Sequence, residues 1–182
     1  MIGTLFFKRL RNKIKIQKNN HITIGNDVGL SGCTIIIKGQ NNHLIINDGS
    51  RLRNMTIEIV GNSCSINIGK NCIIGQGCYL SAKEENIHLQ IGENCMFSRN
   101  VNILTSDGHP IFHNETRINP AQSIMVKNKV WLADNVTVLK GVSIGESSVV
   151  GIHSLVTKSM PSNSIIVGIP AKVIKENIIW KS

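Results

Sequence analysis

A histidine that could act as an acid–base catalyst stands at His109, in the segment TSDGHPIF at residues 105–112. An imidazole is neutral near pH 7, so it can accept the proton of an attacking hydroxyl and later return it to a leaving group. The histidine lies in a stretch, 104–124, that interrupts a regular repeat. Long irregular loops within repeat proteins are uncommon and are often functional. The position in the loop makes His109 a candidate general base; the alternative is a solvated loop residue without a role.

Two other polar residues of this loop bear on the chemistry. Asp107 could orient the imidazole through its second nitrogen, although aspartate is also a common turn residue. His113 could form a metal-binding pair with His109, but no third ligand stands out in the sequence. Zinc sites use at least three protein ligands, so we expect no metal. No positioned Ser or Cys nucleophile accompanies the histidine, which favours direct transfer without a covalent enzyme intermediate.

The elements that must position this loop follow a six-residue repeat, clearest from Val126 to Lys158. Six is neither the period of a helix nor that of a strand, so the repeat predicts short strand-and-turn blocks stacked into a solenoid. We expect the aliphatic residue of each block to point inward and a small residue, four positions later, to close the corner. The aliphatic residues are Val126, Leu132, Val138, Ile144, Val150 and Val156, and the small ones are Val130, Val136, Val142, Ser148 and Ser154.

The five cysteines are predicted to be buried and reduced. Cys72, Cys78 and Cys95 fall at small positions of the repeat, four residues after an aliphatic one. With Cys33 and Cys64 they make an odd number, and no two of the five form a CxxC pair. Free cysteine is among the most frequently buried residue types. A structural role is therefore favoured over disulfide or metal chemistry.

The first twenty residues are strongly basic. The chain has a formal net charge of +9, and its first twenty residues contain no acidic side chain. Such a cluster is commonly only a solvated face, but it also attracts anionic polymers and acidic membrane surfaces. We therefore carry two hypotheses, binding of an anionic polysaccharide and peripheral membrane association through residues 1–20. The basic residues are Lys8, Arg9, Arg11, Lys13, Lys15 and Lys18.

The length of 182 residues predicts one domain, 1–182. We divide it into a basic N-terminal arm or helix at 1–20, a β-helix at 21–160 with a loop at 104–124, and a C-terminal cap at 161–182. No apolar run approaches the ~20 residues that a membrane span needs. The apolar segment near the start is too short for the core of a signal peptide. We therefore expect a cytoplasmic protein.

The repeat and four segments of the chain resemble the hexapeptide-repeat acyltransferases, above all the bacterial sugar, sialate and capsule O-acetyltransferases. The segments are TSDGHPIF at 105–112, VWLADN at 130–135, VVGIHSLVTKSMP at 149–161 and IPAKVIK at 169–175. The resemblance covers about residues 60–180. It implies an all-β fold, a left-handed parallel β-helix of hexapeptide repeats with a protruding loop and a short C-terminal cap. It also implies a homotrimer with active sites between neighbouring subunits.

The resemblance assigns roles to individual residues. His109 matches the catalytic histidine of the family. Trp131 matches a tryptophan that lines the acceptor or thioester region, although it could equally be a packing residue. The backbone N–H of Asp134 matches a donor to the thioester oxygen, a type of group that stabilises developing negative charge. The residues that match contacts to coenzyme A are Ile152, Thr157, Lys158, Lys172 and Lys175, the last two at its phosphates.

Three positions depart from the family pattern. Ala133 stands in place of a usual glycine, and Ile152 and His153 stand in place of an Ala-Gly pair. The added side-chain bulk would narrow the channel for the pantetheine arm. The departures therefore affect the expected cofactor contacts more than the expected reaction.

The resemblance implies transfer of an acetyl group from acetyl-CoA to a hydroxyl of a bacterial surface carbohydrate, such as a capsule or lipopolysaccharide sugar. The excess positive charge favours an acidic acceptor such as sialic acid. Two alternatives stay open: an N-acyltransferase that acts on an amino sugar, and a non-catalytic, ligand-binding β-helix that does not bind coenzyme A. A carbonic anhydrase of the γ type, on the same fold, would need three histidine ligands.

Overall fold

The chain winds through three parallel sheets, which we name A, B and C in the order in which each coil meets them. The structure is a computed structural model that describes residues 12–181, and within that range it contains 23 strands and no helix. Most coils add one strand to each sheet, and a strand in the middle of a sheet pairs with the strand one coil earlier and the strand one coil later. Across residues 12–181, no helix is therefore long and apolar enough to cross a membrane.

The strands fall into the three sheets and one separate hairpin. Sheet A contains β1 (Lys13–Ile16), β4 (Thr34–Gln40), β7 (Thr56–Asn62), β10 (Tyr79–Glu85), β13 (Asn102–Leu104), β18 (Thr137–Leu139) and β21 (Leu155–Val156). Sheet B contains β2 (His21–Ile24), β5 (His43–Ile46), β8 (Ser65–Ile68), β11 (His88–Ile91), β16 (Ile124–Val126) and β19 (Ser143–Ile144). Sheet C contains β3 (Gly29–Ser31), β6 (Arg51–Arg53), β9 (Ile73–Ile74), β12 (Met96–Phe97), β17 (Trp131–Leu132), β20 (Val149–Val150), β22 (Ile165–Gly168) and β23 (Ala171–Lys175). The hairpin consists of β14 (Phe112–His113) and β15 (Thr116–Arg117).

The six-residue repeat has its predicted structural basis. From Val126 to Val156 the inner residue of each short strand is aliphatic and buried, and the small residue four positions later is buried at the corner. Successive side chains of a strand point to opposite faces, so a two-residue strand supplies one inward and one outward side chain. Each corner then turns the chain from one sheet to the next. The predicted inward positions, from Val126 to Val156, are all fully buried, which confirms the solenoid reading.

The five cysteines are buried and unpaired, as predicted. Each thiol lies at a corner, where it donates to a carbonyl oxygen of the next coil; the Sγ of Cys72 lies 3.0 Å from the carbonyl oxygen of Gly92. A larger side chain at these corners would collide with the coils above and below. The thiols therefore act as small buried residues that also hold neighbouring coils together.

The two ends of the coil differ from the expected boundaries. Strand β1 pairs in parallel with β4, so the solenoid already includes Lys13–Ile16 and begins before residue 21. Residues 1–11, which form most of the predicted N-terminal arm, lie outside the described residues. At the other end, β22 and β23 form an antiparallel hairpin, and residues 176–181 follow without regular structure. The C-terminal cap is therefore built around a hairpin.

Candidate functional site

The loop that carries His109 connects sheet A to sheet B, between β13 and β16, and is held by the buried amide of Asn119. The Nδ2 of Asn119 donates to the Asp107 carboxylate and to the carbonyl oxygen of His109, both at 2.9 Å. Its Oδ1 accepts the backbone N–H of Ile111 at 2.5 Å. Asn119 is only 8% exposed, whereas His109 itself is exposed. The backbone around His109 is therefore fixed from within, while the residue remains accessible.

Lys140, on the following coil, supports the same loop from one side. Its Nζ contacts the Asp107 carboxylate and also donates to the carbonyl oxygen of Asn119 at 3.1 Å. The hydrogen bond from Lys140 lowers the pKa of Asp107, so this carboxyl remains ionised as an acceptor. Asp107 was considered as an orienting partner of the imidazole; its Oδ2 instead anchors the loop through Asn119 and Lys140.

Glu84, on the preceding coil, supports the loop from the other side. Its Oε1 accepts hydrogen bonds from the Ser106 hydroxyl and the Arg117 guanidinium, both at 2.7 Å. Its Oε2 accepts the backbone N–H of Ala121 at 3.4 Å. The hydrogen bond from Arg117 lowers the pKa of this carboxyl. The loop is therefore tied to the coils on both sides of it.

A separate groove of about 540 Å³ runs along the outer surface of sheet C and the corner that follows it. Trp131, Asp134 and Ile152, three residues that the sequence assigns to the site, all line this groove. The indole N–H of Trp131 donates to the Ser98 hydroxyl at 3.1 Å. Trp131 is half-buried in the groove wall, and this hydrogen bond fixes the orientation of its ring.

The turn that presents the Asp134 backbone is held by Arg99. The guanidinium of Arg99 donates to Oδ2 of Asp134 through Nε at 3.1 Å and through Nη2 at 2.6 Å. The backbone N–H of Arg99 donates to the other carboxylate oxygen at 2.8 Å, and these bonds lower the pKa of Asp134. The carboxylate of Asp134 thus fixes the turn, while the predicted catalytic group is its backbone N–H.

The two C-terminal lysines lie on the same outer face as the groove. Residues paired across neighbouring strands share a face, and pairing links Trp131 to Val149, then to Ile165 and then to Lys175. Lys172 pairs with Val167, two residues after Ile165 and on the same face. On a regular strand, two residues three positions apart point to opposite faces. The register shift in β23 interrupts this alternation, so Lys172 and Lys175 both point outward. The row thus leads from Trp131 to two exposed ammonium groups.

The departures from the family pattern lie at the groove. Ala133 and Ile152 are among the residues that line it, and Ile152 is 61% exposed. His153 has a positive φ of 57° and faces Asn135, with 3.5 Å between the side-chain nitrogens. The side chain of Ile152 therefore stands at the groove; that it narrows a channel for the pantetheine arm stays a prediction.

The predicted site residues divide between two edges of sheet A. Asp134 and Ile152 lie at the corner that leads from sheet C into sheet A. His109, Thr157 and Lys158 lie at the opposite corner, which leads from sheet A towards sheet B, and Thr157 and Lys158 are exposed. Within one chain the width of sheet A separates the two groups. The chain thus brings Trp131, Asp134 and Ile152 together and leaves His109, Thr157 and Lys158 apart from them.

Several residues that hold the site were missed by sequence reasoning, among them Arg99 at the Asp134 turn. Asn119, Glu84 and Lys140 hold the loop, and Trp180 packs against Trp131 with ring centroids 6.0 Å apart. Each acts across coils, so no local motif marks it. The one available signal for Trp180 is its rarity, since the chain has two tryptophans.

No cluster of three or more His, Cys, Asp or Glu side chains suited to a metal ion occurs within residues 12–181. Two acidic groups of the loop region, Glu84 and Asp107, form ion pairs with Arg117 and Lys140. The chemistry available at the two corners is therefore that of an exposed imidazole, a backbone donor and ammonium groups.

No family model matches the chain. It is 37% identical over 168 residues to the polysialic acid O-acetyltransferase of Neisseria meningitidis, which covers 91% of this chain and 77% of that protein. It is 40% identical over 115 residues to the polysialic acid O-acetyltransferase of Escherichia coli O1:K1, which covers 62% of this chain and 37% of that protein. This alignment thus spans little more than a third of the E. coli protein.

The fold has a solved counterpart. The crystal structure of the polySia-specific acetyltransferase NeuO aligns with a TM-score of 0.79 and 32% identity, covering 96% of this chain and 90% of that one. The coils and the loop between β13 and β16 define a left-handed parallel β-helix of the acyltransferase class, which confirms the predicted fold. With 37% identity over most of the meningococcal relative, the chain belongs to the hexapeptide-repeat acetyltransferase family.

Proposed function

We propose that this protein transfers an acetyl group from acetyl-CoA to a hydroxyl of a bacterial surface carbohydrate, with His109 as general base. The observation that carries the proposal is the groove, in which Trp131, Asp134 and Ile152 meet and which continues as a row to Lys175. Two relatives are named for polysialic acid, which supports a capsule or lipopolysaccharide sugar, and an acidic one such as sialic acid, as the acceptor.

The residues suit the donor. Lys172 and Lys175 are exposed ammonium groups on one face, suited to the phosphates of coenzyme A. The groove between Ile152 and Trp131 has an apolar wall that fits an uncharged pantetheine arm. Thr157 and Lys158 are exposed at the other edge of sheet A, where they would meet a donor bound by a neighbouring copy.

The chemistry follows from the groups at the two corners. His109 accepts the proton of the acceptor hydroxyl as its oxygen attacks the thioester carbonyl. The backbone N–H of Asp134 donates to the oxygen that becomes negatively charged, and Arg99 holds the turn that presents it. His109 then returns its proton to the sulfur as the carbon–sulfur bond breaks. The products are an acetyl ester and a free thiol, and no enzyme ester is formed.

The site requires two copies of the chain, and we assign the contact to the outer face of sheet A. This face lies between the two corners, and Leu104, Leu139 and Leu155 project from it, each half-buried. A rotation that packs these faces around a three-fold axis would bring His109 of one copy to the groove of the next. A closed ring of this kind is the ordinary result of a head-to-tail contact that closes.

The first test is thiol release from acetyl-CoA over a panel of neutral sugars, acidic sugars and amino sugars. A general base contributes typically ~10²–10⁴-fold, so His109→Ala should lose sugar-dependent release to that degree. His113→Ala, an exposed histidine of the same loop, is the matched control and should retain activity. Equal rates for wild type and His109→Ala would refute the mechanism. Release with amino sugars alone would instead identify an N-acyltransferase.

Complementation tests the assignment of the two corners to different copies. His109→Ala and Trp131→Ala should each be inactive alone. Co-expressed with different affinity tags and purified through both, mixed oligomers should regain activity, because some clefts combine two intact halves. Mixed oligomers that form but stay inactive would place both halves of the site in one copy.

A cytoplasmic location and binding of an anionic polysaccharide or membrane by residues 1–20 stay predictions. Lys13 and Lys15 of that segment are exposed on β1. Replacing both with glutamine, and measuring binding to an anionic polysaccharide and to acidic vesicles as salt is raised, tests whether their charge contributes.

A further inference from the structure

Glu84 occupies a backbone position that the two preceding coils give to glycine. Pairing aligns Gly39 with Gly61 and Gly61 with Glu84 along sheet A. All three have positive φ angles, of 98°, 148° and 86°. A side chain in this region of backbone space is strained, and glutamate lacks the short polar side chain that lets asparagine adopt it. Glu84 thus has a positive φ like the two glycines, although glycine is the residue type that this conformation favours.

The stacking explains why a side chain fits at Glu84 but not one coil earlier. A Cβ at Gly61 would lie 1.6 Å from the carbonyl oxygen of Glu84, and a Cβ at Gly39 would lie 1.8 Å from that of Gly61. Above Glu84 the next coil departs, because pairing between β10 and β13 ends at Leu104 and the loop begins. The steric need for glycine therefore lapses at Glu84, while the backbone strain persists.

The side chain at this strained position contacts both limbs of the loop. Its carboxylate accepts from Ser106 on the limb that leads to His109, and from Arg117 and Ala121 on the returning limb. The Ser106 hydroxyl in turn accepts the backbone N–H of Gly108 at 3.1 Å. A chain of hydrogen bonds thus runs from Glu84 to the residue that precedes His109. Strain of this kind persists where the surrounding structure requires it, often at functional sites.

We propose that Glu84 is a positioning residue for His109: its strained backbone aims a carboxylate that ties both limbs of the loop and sets where the imidazole stands. This inference rests on the proposed function of His109. Misplacing a reacting group by ~1 Å can cost ~10²-fold in rate. Loss of the Glu84 carboxylate should therefore lower kcat, because the loop would no longer hold His109 in place.

The test compares Glu84→Ala with Glu84→Gly. Both remove the carboxylate, and glycine also relieves the strain, so Glu84→Gly should have the higher Tm of the two. Both should lose a similar factor in kcat, roughly 10²-fold. The KM for acetyl-CoA should change little, because Glu84 bonds to Ser106, Arg117 and Ala121, none of which lines the donor groove. Glu84→Gln keeps an acceptor oxygen and should recover part of the rate. Glu85→Ala, the exposed neighbour, is the matched control and should behave like wild type.

Hydrogen exchange separates this inference from the proposed function. In both Glu84→Ala and Glu84→Gly the amides of Gly108 and Ala121 should exchange faster, while those of the coil strands stay protected. This readout holds even if no acceptor sugar is found. Unchanged exchange in the loop would overturn the inference, as would a kcat equal to that of wild type in an active enzyme. A drop in kcat confined to Glu84→Ala would also overturn it, because that result would assign the effect to the backbone.

Discussion

The indole rings of Trp131 and Trp180 lie against each other, with centroids 6.0 Å apart and planes inclined by 46°. The indole N–H of Trp180 donates to the carbonyl oxygen of Lys129 at 2.8 Å, which fixes the tail on the coil that carries Trp131. The chain after β23 therefore returns to pack against Trp131, which lines the groove.

Replacing Trp180 with alanine should weaken binding of acetyl-CoA. An aromatic pair contributes ~0.5–1.5 kcal/mol beyond its buried area, so the KM for acetyl-CoA should rise by roughly 2–10-fold as Trp131 loses its neighbour. Trp180→Phe keeps an aromatic ring but loses the hydrogen bond to Lys129, so its KM for acetyl-CoA should lie between those of wild type and Trp180→Ala. Steady-state kinetics with varied acetyl-CoA provide the measurement, and a KM unchanged in Trp180→Ala would show that the tail does not support the groove.

Acid should loosen the His109 loop through Asp107. The hydrogen bond from Lys140 lowers the pKa of Asp107 in the folded protein. The contribution of this pair is therefore fully present above the ordinary carboxyl pKa of about 4 and is lost as the pH falls through the lowered value. Pepsin cleavage in the loop, scaled to cleavage of a reference peptide, should rise as the pH falls below about 4.

Lys140→Met is the control for that titration. Without the ammonium group, Asp107 loses the largest cause of its lowered pKa, and the loop should open to pepsin at pH values at which wild type still resists. Identical cleavage profiles for the two proteins would show that the pair does not hold the loop.

The cysteines should be unreactive in the folded protein. Burial raises the pKa of Cys78 to about 11. The hydrogen bond between the Cys72 and Cys95 thiols raises the pKa of Cys95 and lowers that of Cys72, so burial is what keeps Cys72 from a reagent. The thiolate is the reactive form, so a disulfide reagent at pH 8 should detect almost no thiol until the protein is unfolded, and all five thereafter. One thiol that reacts quickly in the native protein would indicate a coil that opens locally.

The core of the coil should tolerate truncation poorly. Ile57 is fully buried on β7, and Ile57→Ala should reduce the free energy of unfolding by ~2–5 kcal/mol through lost burial and a residual cavity. The matched control is Thr56→Ala, the half-buried outward neighbour, for which ~0.5 kcal/mol or less is expected. Urea unfolding of both variants gives the comparison, and equal losses would contradict the assigned orientation of the strand.

The sequence predicts this fold well because the physical signal repeats. Val126 and Leu132 occupy the same position of successive repeats, and each independently predicts an inward side chain. One irregular repeat therefore does not change the predicted fold. The start of the coil was placed too late because Lys13 and Lys15 point outward from β1, where charge hides the strand pattern. Ile14 and Ile16 alternate with them and were the signal for a strand.

The site is less predictable, since its contacts join distant parts of the chain. Trp131 and Asp134 lie in one motif and meet in the groove. The link between Glu84 and Arg117 crosses from one coil to a loop outside the repeat, and no spacing rule predicts it. The shared face of Lys172 and Lys175 depends on a register shift that their spacing alone would not indicate.

The reversal of the chain at β22 and β23 also bears on solubility. A stack of parallel strands that stopped at a bare edge would offer a template on which another molecule could add, as in an amyloid fibril. In sheet C the last strand runs backwards, and it carries exposed lysines at positions 172 and 175. Charged side chains on a terminal strand are a common protection against such addition. The hairpin that presents ammonium groups beside the groove thus also protects the C-terminal edge of sheet C against addition of a strand from another molecule.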